Sequence, residues 1–274
     1  MTTCSRFVRR GVWGLVMGGA LMAAVPAPAS AQVAVGAGVD FPSLYYYRGV
    51  RQEADPKFTM QPWVDVGGTV MEGDGALKSV TLNAGSWNSI HTGSLEEAYG
   101  AYYETDFYAT LGLGFGGITV ATTYTAYMYP SPDFDTIHEI AFKGSYSHML
   151  APYALLAIEM ADCDGCPKGT YLELGVAPAF PLSDEEGGPN VTVPVKLAFD
   201  VSDYYTTDEE GFGFFSVGGV LNYPMGAIGG GTWSLKGGID LLFLSDVLEF
   251  FNAKEDGETS SVGFVGFGGI SFAF

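Results

Sequence analysis

Positive charge is scarce in this chain. Twelve Lys and Arg stand against 31 Asp and Glu, a net charge of −19 over 274 residues. Such a balance repels phosphate backbones and excludes nucleic acid as a partner. Cysteine is scarce too: three residues are too few to hold a disulfide-built scaffold together. Long apolar runs are missing after residue 25, so a bundle of membrane-spanning helices, each needing about 20 apolar residues, is excluded. Low hydrophobicity is absent as well. At 47% hydrophobic residues, the chain lacks the composition of an acidic disordered segment.

What is present begins with a tripartite start. Arg6, Arg9 and Arg10 precede the apolar stretch 11–25, and Ala29-Ser30-Ala31 supplies a small-x-small cleavage site. This is the pattern of a secretory signal peptide. The expected organisation is a cleaved signal peptide at 1–31 and one exported domain at 32–274. Cleavage removes three arginines and no acid, leaving a net charge of −22.

The exported part of this chain, whose full sequence counts 39 glycines, 16 tyrosines and 19 phenylalanines, has a composition suited to extended structure. It alternates with period two, which in a strand sends successive side chains to opposite faces. In 190–202, Val191, Val193, Val195, Leu197, Phe199 and Val201 share one parity, and Thr192, Lys196, Asp200 and Ser202 the other. In 99–111, Tyr99, Tyr103, Phe107 and Leu111 oppose Glu104, Asp106 and Tyr108. Twelve such segments are expected: 33–47, 57–70, 77–88, 98–112, 118–129, 136–148, 153–161, 169–181, 190–203, 211–223, 232–245 and 261–274. Gly-, Asp- and Pro-rich breaks separate them.

The apolar parity carries large aromatics near segment ends, whereas the polar parity is small and mixed. A lipid-facing outer surface and a polar lumen produce that division. Lys or Arg on the lipid side costs roughly 2–4 kcal/mol at the midplane, which confines the charges to one parity. The last segment ends on Phe274, with Val262, Phe264, Ile270 and Phe272 on the same parity. The expected fold is all-β: a transmembrane antiparallel up-and-down barrel of about twelve strands, with both termini periplasmic. The expected partners are outer-membrane lipids and lipopolysaccharide, and barrel-assembly machinery reading the strand that ends in Phe274.

The lumen parity collects the candidate pore-lining residues. The acids are Asp40, Asp65, Glu104, Asp106, Glu139, Glu159, Glu173, Asp200 and Asp240. The bases are Arg48, Lys143, Lys196 and Lys236. A surplus of carboxylates in a pore favours cations. Narrow barrels also fill their lumen with side chains, so an open pore and a plug both remain open at this point. Strand-one parity sends Tyr45 and Tyr47 of "PSLYYYRGVRQ" to the membrane interface, and Tyr46 and Arg48 to the lumen.

Cys163 and Cys166, in "DCDGCPKG", are expected to form a small loop disulfide; the flanking Asp162 and Asp164 lack the rest of a Ca²⁺-loop pattern. "GLGFGG" at 112–117 fits GxGxxG, but β-branched and aromatic residues follow where a dinucleotide site needs a helix, so it reads as a turn. His91, His138 and His148 fit no metal motif. A lipid-modifying barrel enzyme would need a His–Ser pair on the lipid face. His138 and His148 have the outward parity but no serine two residues on, so interface-level histidines without a role are expected. No cofactor, metal or catalytic residue is implied.

"YYYRGVRQEADPKFTMQPWVDV" at 45–66, "GSWNSI" at 85–90 and "YYETDFYATLGLGF" at 102–115, in this order, resemble the TorF-type porin family, a proteobacterial family whose function is not established. Arg48-Gly49 and Glu104-x-Asp106 are the most specific elements. Where the family has serine–aspartate ahead of the first tyrosine, this chain has Ser43-Leu44. The resemblance covers the first half of the exported part and implies an outer-membrane barrel with a pore, without a known solute. The expected function is a porin-like channel for passive diffusion of small solutes or ions, preferring cations, in the bacterial outer membrane. The alternative is a closed barrel acting as anchor or adhesin through its loops.

Overall fold

The computed structural model describes residues 33–53, 56–160, 168–205, 210–253 and 257–274. The expected signal peptide, and Cys163 with Cys166, lie outside the described residues. In chain order the elements are β1 (Ala34–Pro42), β2 (Tyr46–Tyr47), β3 (Val50–Arg51), β4 (Pro56–Glu72), β5 (Ser79–Gly93), α1 (Ser94–Tyr99), β6 (Tyr102–Phe115), β7 (Ile118–Met128) and β8 (Ile137–Tyr146). They continue with β9 (Tyr153–Met160), β10 (Thr170–Val176), β11 (Ala179–Pro181), β12 (Asn190–Thr192), β13 (Val195–Ser202), β14 (Gly211–Ile228), β15 (Gly231–Leu244), α2 (Asp246–Phe251) and β16 (Val262–Ala273).

Twelve of these strands close into an antiparallel barrel. Going round, the order is β1, β4, β5, β6, β7, β8, β9, β10, β13, β14, β15, β16 and back to β1. Closure is made by β16, whose Ile270 pairs with Val39 of β1 and with Leu235 of β15. The terminal residue adds two bonds: Val35 N–H to the Phe274 carbonyl at 2.9 Å, and Phe274 N–H to that of Val35 at 2.8 Å. A closed barrel leaves no open edge, the condition a sheet must meet in lipid. The segments 169–181 and 190–203 are each interrupted at a proline, Pro178 and Pro194, so β11 and β12 continue β10 and β13 as short extensions. Proline has no N–H for the ladder.

Outside and inside are chemically distinct. On β6, Phe107 and Leu111 are 52% and 41% exposed, whereas Glu104 and Asp106 between the strand walls are 0% and 4% exposed. The same outward set includes Leu82, Phe142, Leu197 and Leu235. The termini share one end with tight connections, such as Gly116–Gly117 and Gly229–Gly230. In outer-membrane barrels that end is periplasmic, and the longer loops lie at the opposite, outer end.

Two expectations fail here. First, strand one stops at Pro42, not at residue 47. Ser43 turns off the wall, its N–H bonded to the Gly266 carbonyl at 2.7 Å, and 43–53 folds into the barrel instead of standing outside as a loop. Tyr45 and Tyr47, expected at the membrane interface, are 2% and 1% exposed inside the lumen. Second, Tyr103, expected outward, is 2% exposed within the same cluster. A register shift at Ser89/Ile90 opposite β6 inserts a residue there, and a bulge re-aims the side chain.

Candidate functional site

The inward-folded segment is a two-stranded hairpin. Tyr47 pairs with Val50 and Tyr46 with Arg51, so Arg48 and Gly49 are the two central residues. Their φ angles are 43° and 85°, the left-handed pair that a type I′ hairpin turn requires. Glycine adopts this freely; arginine does so at a cost of about 1–2 kcal/mol, so its head group has to return that energy.

It does so by contact with the barrel wall. Arg48 Nη1 donates to Glu139 Oε2 at 2.6 Å and Nη2 to Oε1 at 2.8 Å. Nη1 also donates to the Tyr204 hydroxyl at 2.5 Å. The guanidinium carbon lies 4.8, 4.5 and 5.3 Å from the ring centroids of Tyr47, Tyr171 and Tyr204. A forked charge-assisted pair with aromatic faces is the geometry that arginine meets and lysine does not.

The hairpin backbone is clamped as well. The Asn252 side chain, at the end of α2, donates to the Gly49 carbonyl at 2.7 Å and accepts the Arg51 N–H at 2.5 Å. The Tyr205 hydroxyl donates to the Arg48 carbonyl at 2.9 Å. Asp200 fixes both tyrosines of this turn by accepting the N–H of Tyr204 and of Tyr205, each at 2.9 Å. Gly49 sits so close to the opposite wall that a Cβ there would lie 2.6 Å from Phe214 Cδ1 and 2.7 Å from Leu248 Cδ1.

A second anchorage holds the base of the hairpin. His91 is fully buried. Its Nδ1 lies 2.7 Å from Glu53 Oε2 and its Nε2 2.6 Å from Ser89 Oγ. Glu53 Oε1 accepts the Thr59 hydroxyl at 2.8 Å and the Tyr45 N–H at 3.3 Å. His91, for which the sequence suggested no role, is thus part of the hairpin's anchorage. His138 stays outside, stacked on exposed Tyr124 with centroids 5.9 Å apart, and His148 stacks on Tyr146. Both Glu104 oxygens are taken by tyrosine hydroxyls, Tyr45 at 3.0 Å and Tyr129 at 3.1 Å. Tyr45 also lies against Trp87, centroids 5.5 Å apart.

These contacts divide the lumen. Along β5, the lumen-facing positions run from exposed Thr81 through half-buried Asn83 to buried Trp87, Ser89 and His91. The outer half is packed and the half toward the termini is a vestibule that solvent reaches. Of the sequence-predicted residues, Arg48, Glu104, Asp106, Glu139, Glu173 and Asp200 are brought together in or beside the packed half; Glu159, half-buried, faces Glu139 across the β8–β9 pair. The vestibule holds Asp40 paired with Lys236 at 2.8 Å, Asp240 facing buried Lys196 at 3.7 Å, Lys143 over the Tyr153 ring at 4.5 Å, and Asp65, which accepts from the Tyr108 hydroxyl at 2.8 Å and from Asn83. Among the described residues no group of three or more His, Cys, Asp or Glu is arranged to hold a metal ion.

Sequence reasoning missed Tyr127, Tyr171, Tyr204, Tyr205, Asn252 and the Glu53–His91–Ser89 chain. Ser89 and His91 share the lumen parity of one strand, and that signal was readable. Glu53 and Asn252 lie in or beside connections, where no period exists to read.

No family model matches the chain, and no curated protein matches it by sequence. Among solved structures, it is similar to an outer-membrane channel from Pseudomonas putida F1, with a TM-score of 0.51 at 9% identity over 92% of this chain and 97% of that one. It is also similar to the translocator domain of the autotransporter NalP from Neisseria meningitidis, with a TM-score of 0.46 at 10% identity over 90% of this chain and 88% of that one. At such identities the likeness is one of fold: that of outer-membrane β-barrels.

Proposed function

We propose that this chain is an outer-membrane channel for small solutes or ions, held shut by the 43–53 hairpin. The observation that supports it most is where the obstruction comes from. The vestibule ends on a hairpin hung from the wall by side-chain contacts, and the barrel's ladder closes without it, the hairpin forming a separate two-stranded sheet. Such a hairpin can withdraw while the wall remains closed.

Cation preference follows from what leaves with it. In the vestibule Asp40, Asp65 and Asp240 are balanced by Lys143, Lys196 and Lys236. In the packed half Arg48 is set among Glu104, Asp106, Glu139, Glu173 and Asp200. Withdrawal takes Arg48 away and leaves a one-signed constriction, which concentrates cations. The reading places the protein in the outer membrane after export, in contact with its lipids and lipopolysaccharide, assembled through the strand ending in Phe274. The TorF-type resemblance fits it. The residues that carry that resemblance, Arg48-Gly49, Trp87 and Glu104-x-Asp106, meet in the plug.

The test is single-channel conductance of the refolded protein across a planar bilayer under a salt gradient. Discrete openings with a reversal potential favouring cations are expected, weakened by Glu104→Gln and Asp106→Asn. The dense aromatic packing of the outer half, with Tyr45, Tyr47, Tyr103, Tyr127 and Tyr129 all buried, favours a second reading: a permanently closed anchor that works through its loops. A stably inserted barrel that never conducts, even in hairpin variants, selects that reading.

A further inference from the structure

The contacts around Arg48 have the form of a receptor and its ligand. The receptor belongs to the barrel. Glu139 comes from β8, Tyr127 from β7, Tyr171 from β10 and Tyr204 from the turn after β13. These groups also have partners on the barrel side: the Tyr127 hydroxyl, 3.1 Å from that of Tyr47 on the hairpin, donates to Glu139 Oε1 at 3.2 Å, the Tyr171 hydroxyl to Glu173 Oε2 at 2.7 Å, and Asp200 accepts the Tyr204 N–H. The Tyr171 and Tyr204 rings are 5.1 Å apart between centroids. The ligand belongs to the hairpin, which presents it from a left-handed turn position (φ 43°) that asparagine or glycine would occupy more readily.

We infer that the barrel wall carries a binding site for guanidinium groups, which Arg48 fills in the plugged state and which takes free alkylguanidinium cations, such as the arginine side chain, when the hairpin is out. The inference names a solute class for the channel proposed above and rests on that reading for transport, though not for binding. Selectivity comes from shape. Two N–H groups on one edge of a planar cation match both Glu139 oxygens, and the flat faces lie against tyrosine rings. An ammonium ion of equal charge offers a point donor without a fork. Because the wall groups are already held in place, little ordering cost falls on a new ligand.

Calorimetry on the refolded Arg48→Ala protein, titrated with methylguanidinium and with methylammonium, tests the site. Methylguanidinium is expected to bind at one site per chain, about tenfold more tightly than methylammonium. That binding should disappear when Glu139→Gln is added. Equal binding of the two cations, or binding that survives Glu139→Gln, overturns the inference. If Arg48→Ala does not refold, hydrogen exchange of the wild-type hairpin decides. Methylguanidinium competing with Arg48 should speed exchange of the Arg51 and Gln52 amides, and methylammonium should not; identical rates overturn the inference. Conductance of the same variants separates the two claims. Selective binding in a barrel that never conducts upholds the site and removes the solute role. Conductance without selective binding of methylguanidinium removes the site and leaves the channel.

Discussion

Arg48 and Glu139 are 91 residues apart in sequence and meet as a two-pronged pair, at 2.6 and 2.8 Å, inside the barrel. Removing one partner of a buried pair leaves the other charge uncompensated, at a cost of roughly 3–5 kcal/mol. The loss falls on docking of the hairpin, because no barrel ladder bond involves either side chain. Glu139→Ala should therefore raise the open fraction of the channel and speed exchange of the Gln52 amide, which bonds to the Tyr45 carbonyl at 2.8 Å. The folded barrel should persist. Unchanged exchange at Gln52 would show that the pair does not hold the plug.

Gly49 should tolerate nothing larger. At φ 85° a Cβ is strained by roughly 1 kcal/mol, and it would also press on Phe214 and Leu248. Gly49→Ala is expected to undock the hairpin as Glu139→Ala does. Combining the two should add little, since either alone releases the same element; the double variant's exchange rates check this.

Asn252 binds both flanks of the turn through one side chain. Asn252→Ala leaves the Arg51 N–H and the Gly49 carbonyl without these partners, about 1–3 kcal/mol for each buried group left unpaired. The Arg51 amide is expected to exchange faster than in wild type, with the amides of β4 and β5 unaffected. Faster exchange throughout the barrel would mean that Asn252 supports the wall rather than the plug.

The barrel itself was legible because lipid and lumen impose a strict alternation that a two-residue period displays. All twelve strand positions were recoverable for that reason, as was the lumen parity of Glu104, Asp106 and Glu139. The plug was not legible. Period two continues from β1 through Tyr45 and Tyr47 in the sequence, and the pattern cannot show that the chain has left the wall at Ser43. The Arg48-Gly49 dipeptide carried the turn signal, yet arginine is an unusual occupant of the left-handed position. Its partners Tyr171, Tyr204 and Asn252 are set by closure of the barrel, which brings distant residues together with no local trace.

Orientation of β6 can be checked directly. Leu111 faces lipid and its neighbour Thr110 faces inward, its hydroxyl 2.8 Å from that of Thr123. Leu111→Arg should destabilise the inserted barrel by roughly 2–4 kcal/mol if it lies near the midplane. Thr110→Arg should cost clearly less, because its charge enters a wet vestibule. Equilibrium unfolding from lipid vesicles in denaturant reads both, and equal losses would contradict the assigned faces.

Ser89, His91 and Glu53 stand in the donor–acceptor order of a hydrolytic triad, with 2.6 and 2.7 Å between successive groups. Their placement argues against that chemistry. Ser89 is fully buried while the hairpin is docked, and Glu53 lies at the base of that hairpin. Withdrawal that exposes Ser89 carries Glu53 away from His91. In the proposed channel the three groups would be complete only when no substrate can reach them, the arrangement of a latch. Glu53→Ala should loosen the hairpin, leaving His91 and Thr59 each short of a partner at about 1–3 kcal/mol, and should raise the open fraction. A fluorophosphonate should label Ser89 neither in the wild-type protein nor in Glu139→Ala. Covalent labelling of Ser89 in either would replace the latch with an esterase.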